Sequence, residues 1–344
     1  MATDNTAWQV RANPGRRTLV TGGAGFIGSH LVDRLVELGH QVIAVDDLST
    51  GRMANLVDHP SVERVAGSVL DAPLLDELTS RVDEVYHLAA AVGVNTILKD
   101  PLRSLRTNLH GTEIVLNAAL RHQVQVMVMS SSEVYGMNTS DGLTEDDDRV
   151  LGSPLLARWS YAEAKAVVET LAYAYWRNEG LPTVIVRPFN IVGPRQTGRY
   201  GMVIPRLVGQ ALRDEPLSVY GDGRQTRCFC HVREAVDAMV ALIGHPDAYG
   251  QAFNLGRPEE VSIRELAERV IELSGSSSSI QYVPYSKAYG EGFQDMRRRV
   301  PDITKLRDLI GFEPRLGLDT IVMSVLEDQR QSRTAELSTL GGRG

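Results

Sequence analysis

Four side chains in this sequence, Ser131, Glu133, Tyr161 and Lys165, have the types and spacing for proton transfer. Tyr161 and Lys165 are four residues apart, so a helix would place them on one face. A free phenol has a pKa of about 10, too high for a base at neutral pH. A neighbouring ammonium favours the phenolate and lowers that value. The Ser131 hydroxyl can orient a substrate alcohol. Such a trio can take a proton from a carbinol as a hydride leaves the same carbon. A tyrosine and a lysine at this spacing also arise by chance on amphipathic helices, so the neighbouring chain must decide.

The decisive neighbour is Thr21-Gly22-Gly23-Ala24-Gly25-Phe26-Ile27-Gly28. It follows the apolar run Thr18-Leu19-Val20 and opens the amphipathic run Ser29 to Leu38. Strand, glycine turn and helix form a dinucleotide-binding context. Gly22 permits the tight turn, Gly25 lets backbone approach a pyrophosphate, and Gly28 lets the helix pack close to the sheet. The pyrophosphate would sit on the free N–H groups and positive dipole of the helix start. Asp46 ends the next strand, where a carboxylate accepts both ribose hydroxyls of adenosine and repels a 2′-phosphate. These residues point to NAD rather than NADP, and a nicotinamide would accept the hydride.

The whole chain bounds the rest. Its 344 residues suffice for a large core and suggest two lobes. Apolar content of 43% and charged content of 23% are those of a water-soluble globular protein. A net charge of −7 leaves no electrostatic footprint for nucleic acid. No apolar run is long enough to span a bilayer, and the N-terminus lacks the apolar segment of a signal peptide. The two cysteines, Cys228 and Cys230, lie beside His231 without a second ligand cluster. They read as core residues of a protein in the reducing cytoplasm, with no metal.

Strands and helices alternate from residue 17 to 188, which predicts an α/β fold with a Rossmann-type, doubly wound parallel sheet. Expected strands are 19–20, 41–46, 62–67, 82–90, 124–129 and 182–188. Between them come helices at 29–38, 72–80, about 100–122 and about 160–179. Asn108 falls on a polar stripe of its helix. Residues 137–158, with Asp146-Asp147-Asp148, read as a solvated loop. Beyond 182 the pattern turns to short helices (203–213, 233–244, 262–274, 304–310, 318–331) and short strands (217–220, 227–232, 252–255, 280–284). The organisation expected is a flexible tail at 1–16, an NAD-binding domain at 17–181 with its sheet completed by part of 182–260, a smaller mixed lobe at 182–332, and a tail at 333–344.

The motifs TGGAGFIGSH, VYHLAA, SSSEVYG, YAEAK, RPFNIVGPR, YGDGRQTR and RRVPD occur in that order. In this the chain resembles the extended short-chain dehydrogenases/reductases, of the nucleotide-sugar epimerase, dehydratase and decarboxylase group, over about residues 17–330. The resemblance implies NAD that is reduced and reoxidised within one turnover. It implies a nucleoside-diphosphate sugar, UDP-sugar foremost, in the C-terminal lobe, and a homodimer through the helices near 99–121 and 160–179. NAD contacts then fall to Gly22, Gly25, Phe26, Ile27, Gly28, Asp46, Ser68, Val69, Leu88, Ala89, Asn108, Tyr161 and Lys165. Ser68 departs from the family, which usually has an aspartate there for the adenine. Substrate contacts fall to Asn190, Val203, Tyr220, Arg227 and Arg299. Ser131, Glu133, Tyr161 and Lys165 take the catalytic positions.

Members of this group first oxidise the sugar at C4. The 4-ketone then permits loss of water, loss of carbon dioxide from a C6 carboxylate, or return of hydride to the other face. Ser131-Ser132-Glu133 lacks the acidic pair of deoxythymidine-sugar 4,6-dehydratases and resembles the Thr-Ser-Glu of UDP-glucuronate decarboxylases and GDP-mannose 4,6-dehydratases. Gln225-Thr226-Arg227 with Cys228-Phe229, and Arg299 before Pro301-Asp302, also resemble the decarboxylases. Ala91-Val92-Gly93-Val94-Asn95 looks more like an epimerase. The first expectation is a UDP-glucuronate decarboxylase, the next a UDP-glucose or UDP-hexuronate 4-epimerase, then a 4,6-dehydratase. A non-catalytic NAD-binding sensor is the reading from outside enzymology.

Overall fold

A computed structural model describes residues 13–91, 100–198, 202–289 and 296–341. The expected N-terminal tail up to residue 12, and the epimerase-like residues Val92 to Asn95, lie outside the described residues.

β1 (Arg17–Thr21), β2 (Gln41–Asp46), β3 (Val62–Ala66), β4 (Glu84–His87), β5 (Gln125–Met129) and β6 (Thr183–Pro188) build the main sheet. β7 (Ile191–Val192), β8 (Leu217–Tyr220), β9 (Thr226–Cys228) and β10 (Cys230–His231) follow, and β11 (Gln251–Leu255) returns to complete it. The order is β11-β6-β5-β4-β1-β2-β3, and every pairing is parallel. The Rossmann expectation is met, with the order reversing between β1 and β4. Because all strands run one way, the loops after β1, β2, β3, β4, β5 and β6 share one edge, where open sheets take their ligands.

Helices cover both faces. α1 (Phe26–Glu37) lies on one face. α2 (Ala72–Thr79), α3 (Pro101–His122) and α4 (Ser160–Glu179) lie on the other, in a second apolar cluster with Leu19, Val126 and Ile185. Local signals set these helices. The Asp100 side chain caps α3 by accepting from the Arg103 N–H, with Pro101 in the first turn. Gly180, at φ +72°, stops α4.

In the C-terminal part, α5 (Val203–Ala211) precedes β8, and α6 (Val232–Ile243) returns to the α1 face. There β12 (Glu260–Ser262) pairs with β9, and α7 (Ile263–Ser274) carries the expected Ser262/Glu265 capping box. β13 (Ile280–Val283), α8 (Tyr285–Tyr289), α9 (Thr304–Ile310) and α10 (Leu318–Gly341) complete the chain. A third apolar cluster, with Leu207, Val219, Phe229, Leu266 and Val325, forms this lobe's own core.

Three expectations change. The run 227–232 is two strands in different sheets, broken at Phe229. The last helix continues through the expected tail to Gly341, since no proline or glycine interrupts residues 318–340. The acidic 137–158 loop is anchored: Leu143 exchanges backbone bonds with Val300 and Asp302, and the Glu145 carboxylate accepts from the Asn254 N–H.

Gly250 joins the sheet to α4. It sits at φ +71°, and a methyl group there would collide with the Trp176 ring. Gly250→Ala is expected to lower stability by about 1–3 kcal/mol in urea unfolding, through overpacking and backbone strain together. An unchanged midpoint would refute this.

Candidate active site

The glycine turn has a shape set by contacts at its back. Gly22 is at φ +70°, and a Cβ there would lie 2.8 Å from the Ala89 N. At Gly28 a Cβ would collide with the Gly22 carbonyl oxygen. At Gly25 a Cβ would meet only that same carbonyl, at 3.1 Å. The turn is thus closed behind and open in front of α1, whose first residue has no side-chain cap. This cradle fits a pyrophosphate. Asp46 is buried, accepts from the N–H groups of Ala24 (3.0 Å) and Leu48 (2.8 Å), and would touch any side chain at Gly51. Burial lifts its carboxyl above the ordinary value, and those N–H bonds oppose the shift. Ser68 lines a cavity of about 430 Å³ with Asp47, Leu70, Asp100, Leu102 and Arg106. Val69 is buried against Gly111. The glycine turn, Asp46 and Ser68 follow β1, β2 and β3, so all three lie on the ligand-binding edge of the sheet.

The loop after β4 is fixed by a chain of hydroxyls that the sequence did not announce. The Ala89 N–H donates to Thr21 Oγ1 (3.2 Å), which lies 2.8 Å from His87 Nδ1. His87 Nε2 lies 3.0 Å from Thr112 Oγ1, whose only proton goes to the Asn108 carbonyl. His87 must therefore donate through Nε2 and accept at Nδ1. Burial pushes its pKa down to about 3, so it is neutral. Asn108 lies on the expected polar stripe with Ser104 and Thr112, which is buried, and its Oδ1 accepts from the Ala91 N–H. Leu88, Ala89 and Asn108 are thus held as one unit beside Gly22. Thr112, one turn after Asn108, was the available signal.

At the C-terminal end of β5, the Ser131 hydroxyl accepts from the Glu133 N–H and lies close enough to Tyr161 to favour its phenolate. Lys165 is buried and donates to the Met129 carbonyl at 2.6 Å; its Nζ is 5.9 Å from the Tyr161 ring centre. Burial lowers the Lys165 pKa to about 8, against the pull of Glu169. The Tyr161 phenol is raised, not lowered as expected. Burial is the main cause and the Glu133 charge adds to it, while the Ser131 bond and Arg299 pull the other way. The ammonium spends a bond on Met129, so the protein's own charges do not make Tyr161 a ready base.

Glu133 is gripped from both sides. Arg299 Nη1 donates to Oε1 (2.5 Å) and Arg158 Nη1 to Oε2 (2.7 Å). Burial would raise this carboxyl, but the two guanidinium charges hold it at about 2. Arg299 Nη2 also donates to Asn190 Oδ1 at 3.3 Å, and Asn190 donates to the Cys228 carbonyl. Asn190 and Arg299 therefore join the Ser131 group. Val203 opens α5, Tyr220 lies under the Arg206 guanidinium at 4.3 Å, and Arg227 donates to the Thr226 carbonyl. These three line the C-terminal lobe rather than the Glu133 cluster. Sequence reasoning missed Arg158, although it stands three residues before Tyr161. It also missed the buried network behind β5, in which Glu169 receives Ser130 Oγ and Arg187, and Arg187 reaches Tyr135 and so Asn254.

Fold and site together define an NAD-dependent enzyme of the Rossmann type, in which bound NAD supplies a hydride acceptor. Residues 18–256 match the NAD dependent epimerase/dehydratase family. The chain is 43% identical to UDP-N-acetyl-alpha-D-glucosaminuronate decarboxylase of Bacillus cytotoxicus, over 88% of this chain and 94% of that one. It is 38% identical to UDP-glucuronic acid decarboxylase 2 of Arabidopsis thaliana, over 92% and 69%. Among solved structures it resembles UDP-glucuronic acid 4-epimerase from Bacillus cereus, in complex with UDP-glucuronic acid and NAD. That match has a TM-score of 0.81 and 29% identity, over 92% and 99% of the two chains. The chain belongs to the NAD-dependent epimerase/dehydratase family.

Gly28→Ala is expected to weaken NAD binding by about tenfold or more, roughly 1.4 kcal/mol, by forcing the Gly22 turn apart. Calorimetric titration with NAD checks this, and wild-type affinity would refute it.

Proposed function

We propose that this enzyme decarboxylates a UDP-hexuronate through a 4-keto intermediate, with UDP-glucuronate as the first substrate to test. One observation carries the reading. Arg299 is buried, its Nη groups face Glu133 and Asn190, and its Nε has no hydrogen-bond partner. A buried guanidinium with a spare donor suits an incoming carboxylate, because the pair makes charge-assisted bonds. A neutral hydroxymethyl group would accept from that donor without bringing a charge to pair with the guanidinium.

Each residue then has a distinct role. Tyr161 takes the C4 hydroxyl proton, and Ser131 orients that hydroxyl. Lys165 holds the adjoining ribose and adds positive charge. Glu133, with a pKa of about 2, works as a fixed anion that accepts from sugar hydroxyls and is not a proton donor. The C6 carboxylate lies β to the new ketone, so carbon dioxide leaves once C4 is oxidised; the enolate left behind takes a proton at C5, and return of the hydride to C4 and of the Tyr161 proton to its oxygen restores the alcohol. Asn190, Val203, Tyr220 and Arg227 receive the nucleoside diphosphate. The name of the Bacillus cytotoxicus relative adds the 2-acetamido sugar acid as a candidate substrate. The second reading, a UDP-hexuronate 4-epimerase, is supported by the likeness to the Bacillus cereus structure.

The assay incubates the protein and NAD with UDP-glucuronate, its 2-acetamido analogue and UDP-glucose. Loss of about 44 mass units from an acid substrate, abolished by Tyr161→Phe, is the expected result. Unchanged mass with new sugar proton signals would mean epimerisation and overturn the decarboxylase. Turnover of none of the three would overturn the UDP-sugar assignment, and intact cellular function of Tyr161→Phe would favour the sensor.

We also infer a cytoplasmic homodimer. The two cysteines are buried free thiols, which suits a reducing compartment. Val167 and Tyr173 on α4 are apolar or aromatic side chains left 46% and 39% exposed. Sedimentation is expected to give twice the 37.7 kDa chain mass, and Val167→Glu to give monomer. A monomeric parent would end the proposal.

A further inference from the structure

Glu133 poses an electrostatic problem that a substrate carboxylate would sharpen. The charged and titratable groups facing it are Arg158 from the turn Ala157–Trp159, Tyr161 from α4, and Arg299 from the segment after residue 296. Burying a carboxylate without a cation drives it to take up a proton. If Arg299 turns any of its bonding to a substrate acid, Glu133 loses part of its compensation while the site is occupied.

Arg158 is built to stay. It bonds Oε2, whereas Arg299 bonds Oε1, so the two do not compete for one oxygen. Its guanidinium lies 5.1 Å from the centre of the Trp159 ring. Trp159 is fully buried and packs so closely on Gly152 that no side chain fits there. The turn carrying Arg158 leads directly into α4, so its base moves with Tyr161. Arg299 instead reaches in from the far end of the chain, 166 residues from Glu133.

We propose that Arg158 is a positioning residue: the permanent counter-ion of Glu133, which keeps that carboxylate ionised and aimed while Arg299 engages the acid group of the substrate. This rests on the decarboxylase reading for the acid group alone. Arg158 acts through Glu133 and need not touch the sugar.

Removing a cation from a carboxylate raises its pKa, so ionised Glu133 is lost at a higher pH than before. Two readouts test this. In infrared difference spectra without substrate, Arg299→Gln stands in for an engaged Arg299; adding Arg158→Gln to it is expected to show a protonated carboxyl band at about pH 5 that Glu133→Gln abolishes and Arg299→Gln alone lacks. With UDP-glucuronate, the acid limb of kcat/KM for carbon dioxide release is expected to move up by about one pH unit or more in Arg158→Gln, and by less in Arg158→Lys. In the Glu133→Gln background, Arg158→Gln is expected to change kcat/KM less than about twofold.

An absent carboxyl band, an unmoved acid limb, or an equal loss in both backgrounds would each overturn the role of Arg158. If Arg158→Gln does not fold, the Arg158→Lys titration decides on the same terms. Should the parent release no carbon dioxide from UDP-glucuronate, the decarboxylase reading fails by itself, and the substrate-free spectra still decide on Arg158.

Discussion

The close approach of two backbones, β1 leaving through Gly22 and β4 leaving through Ala89, is the constraint on which the rest depends. The strand order reverses there, so the two chains diverge to opposite faces and open a crevice. The crevice is useful only if its walls are thin. Gly22 keeps them thin by having no side chain toward the Ala89 N, and Ala89 by having a small one. Thr21, His87, Thr112 and Asn108 then lock the far wall, each spending its protons in one direction. A charged histidine would break this chain, and burial removes that option.

The catalytic end obeys a different rule, that of managed opposition. Tyr161 is buried beside an anion, which is the wrong neighbour for a base. Glu133 is nevertheless kept ionised, at the cost of two guanidinium groups. Ser131 and Arg299 partly reverse the effect on the phenol. Burial and the Glu133 charge together thus favour the protonated phenol in the protein alone. Behind this, Glu169 with Ser130 and Arg187 ties the ends of β5 and β6 to the middle of α4.

What the sequence disclosed follows from how local each signal is. The glycine turn, Asp46, and the helix pair Tyr161 and Lys165 are encoded in short windows, where spacing is itself the geometry. The parallel, doubly wound sheet followed from alternation alone. Arg158 escaped because its partner is 25 residues away and a lone arginine before a helix carries no pattern. The direction of the Tyr161 shift escaped because its causes, burial and the Glu133 charge, are not visible in the spacing of Tyr161 and Lys165. The acidic loop was read as free because composition cannot show that Glu145 meets the Asn254 N–H, 109 residues further on. The last helix was ended early for want of a stop signal that the chain never supplies.

Trp159 gives the molecule a native optical reporter. Its indole is wholly shielded from water, with the Arg158 guanidinium near its face. The excited indole has a large dipole, so its emission follows the electric field around it. Any event that rearranges the Glu133 charges also alters the field felt by this ring. Trp176, exposed on α4 where it packs against Gly250, is the other tryptophan among the described residues. Quenching by an aqueous solute would therefore suppress Trp176 ahead of Trp159.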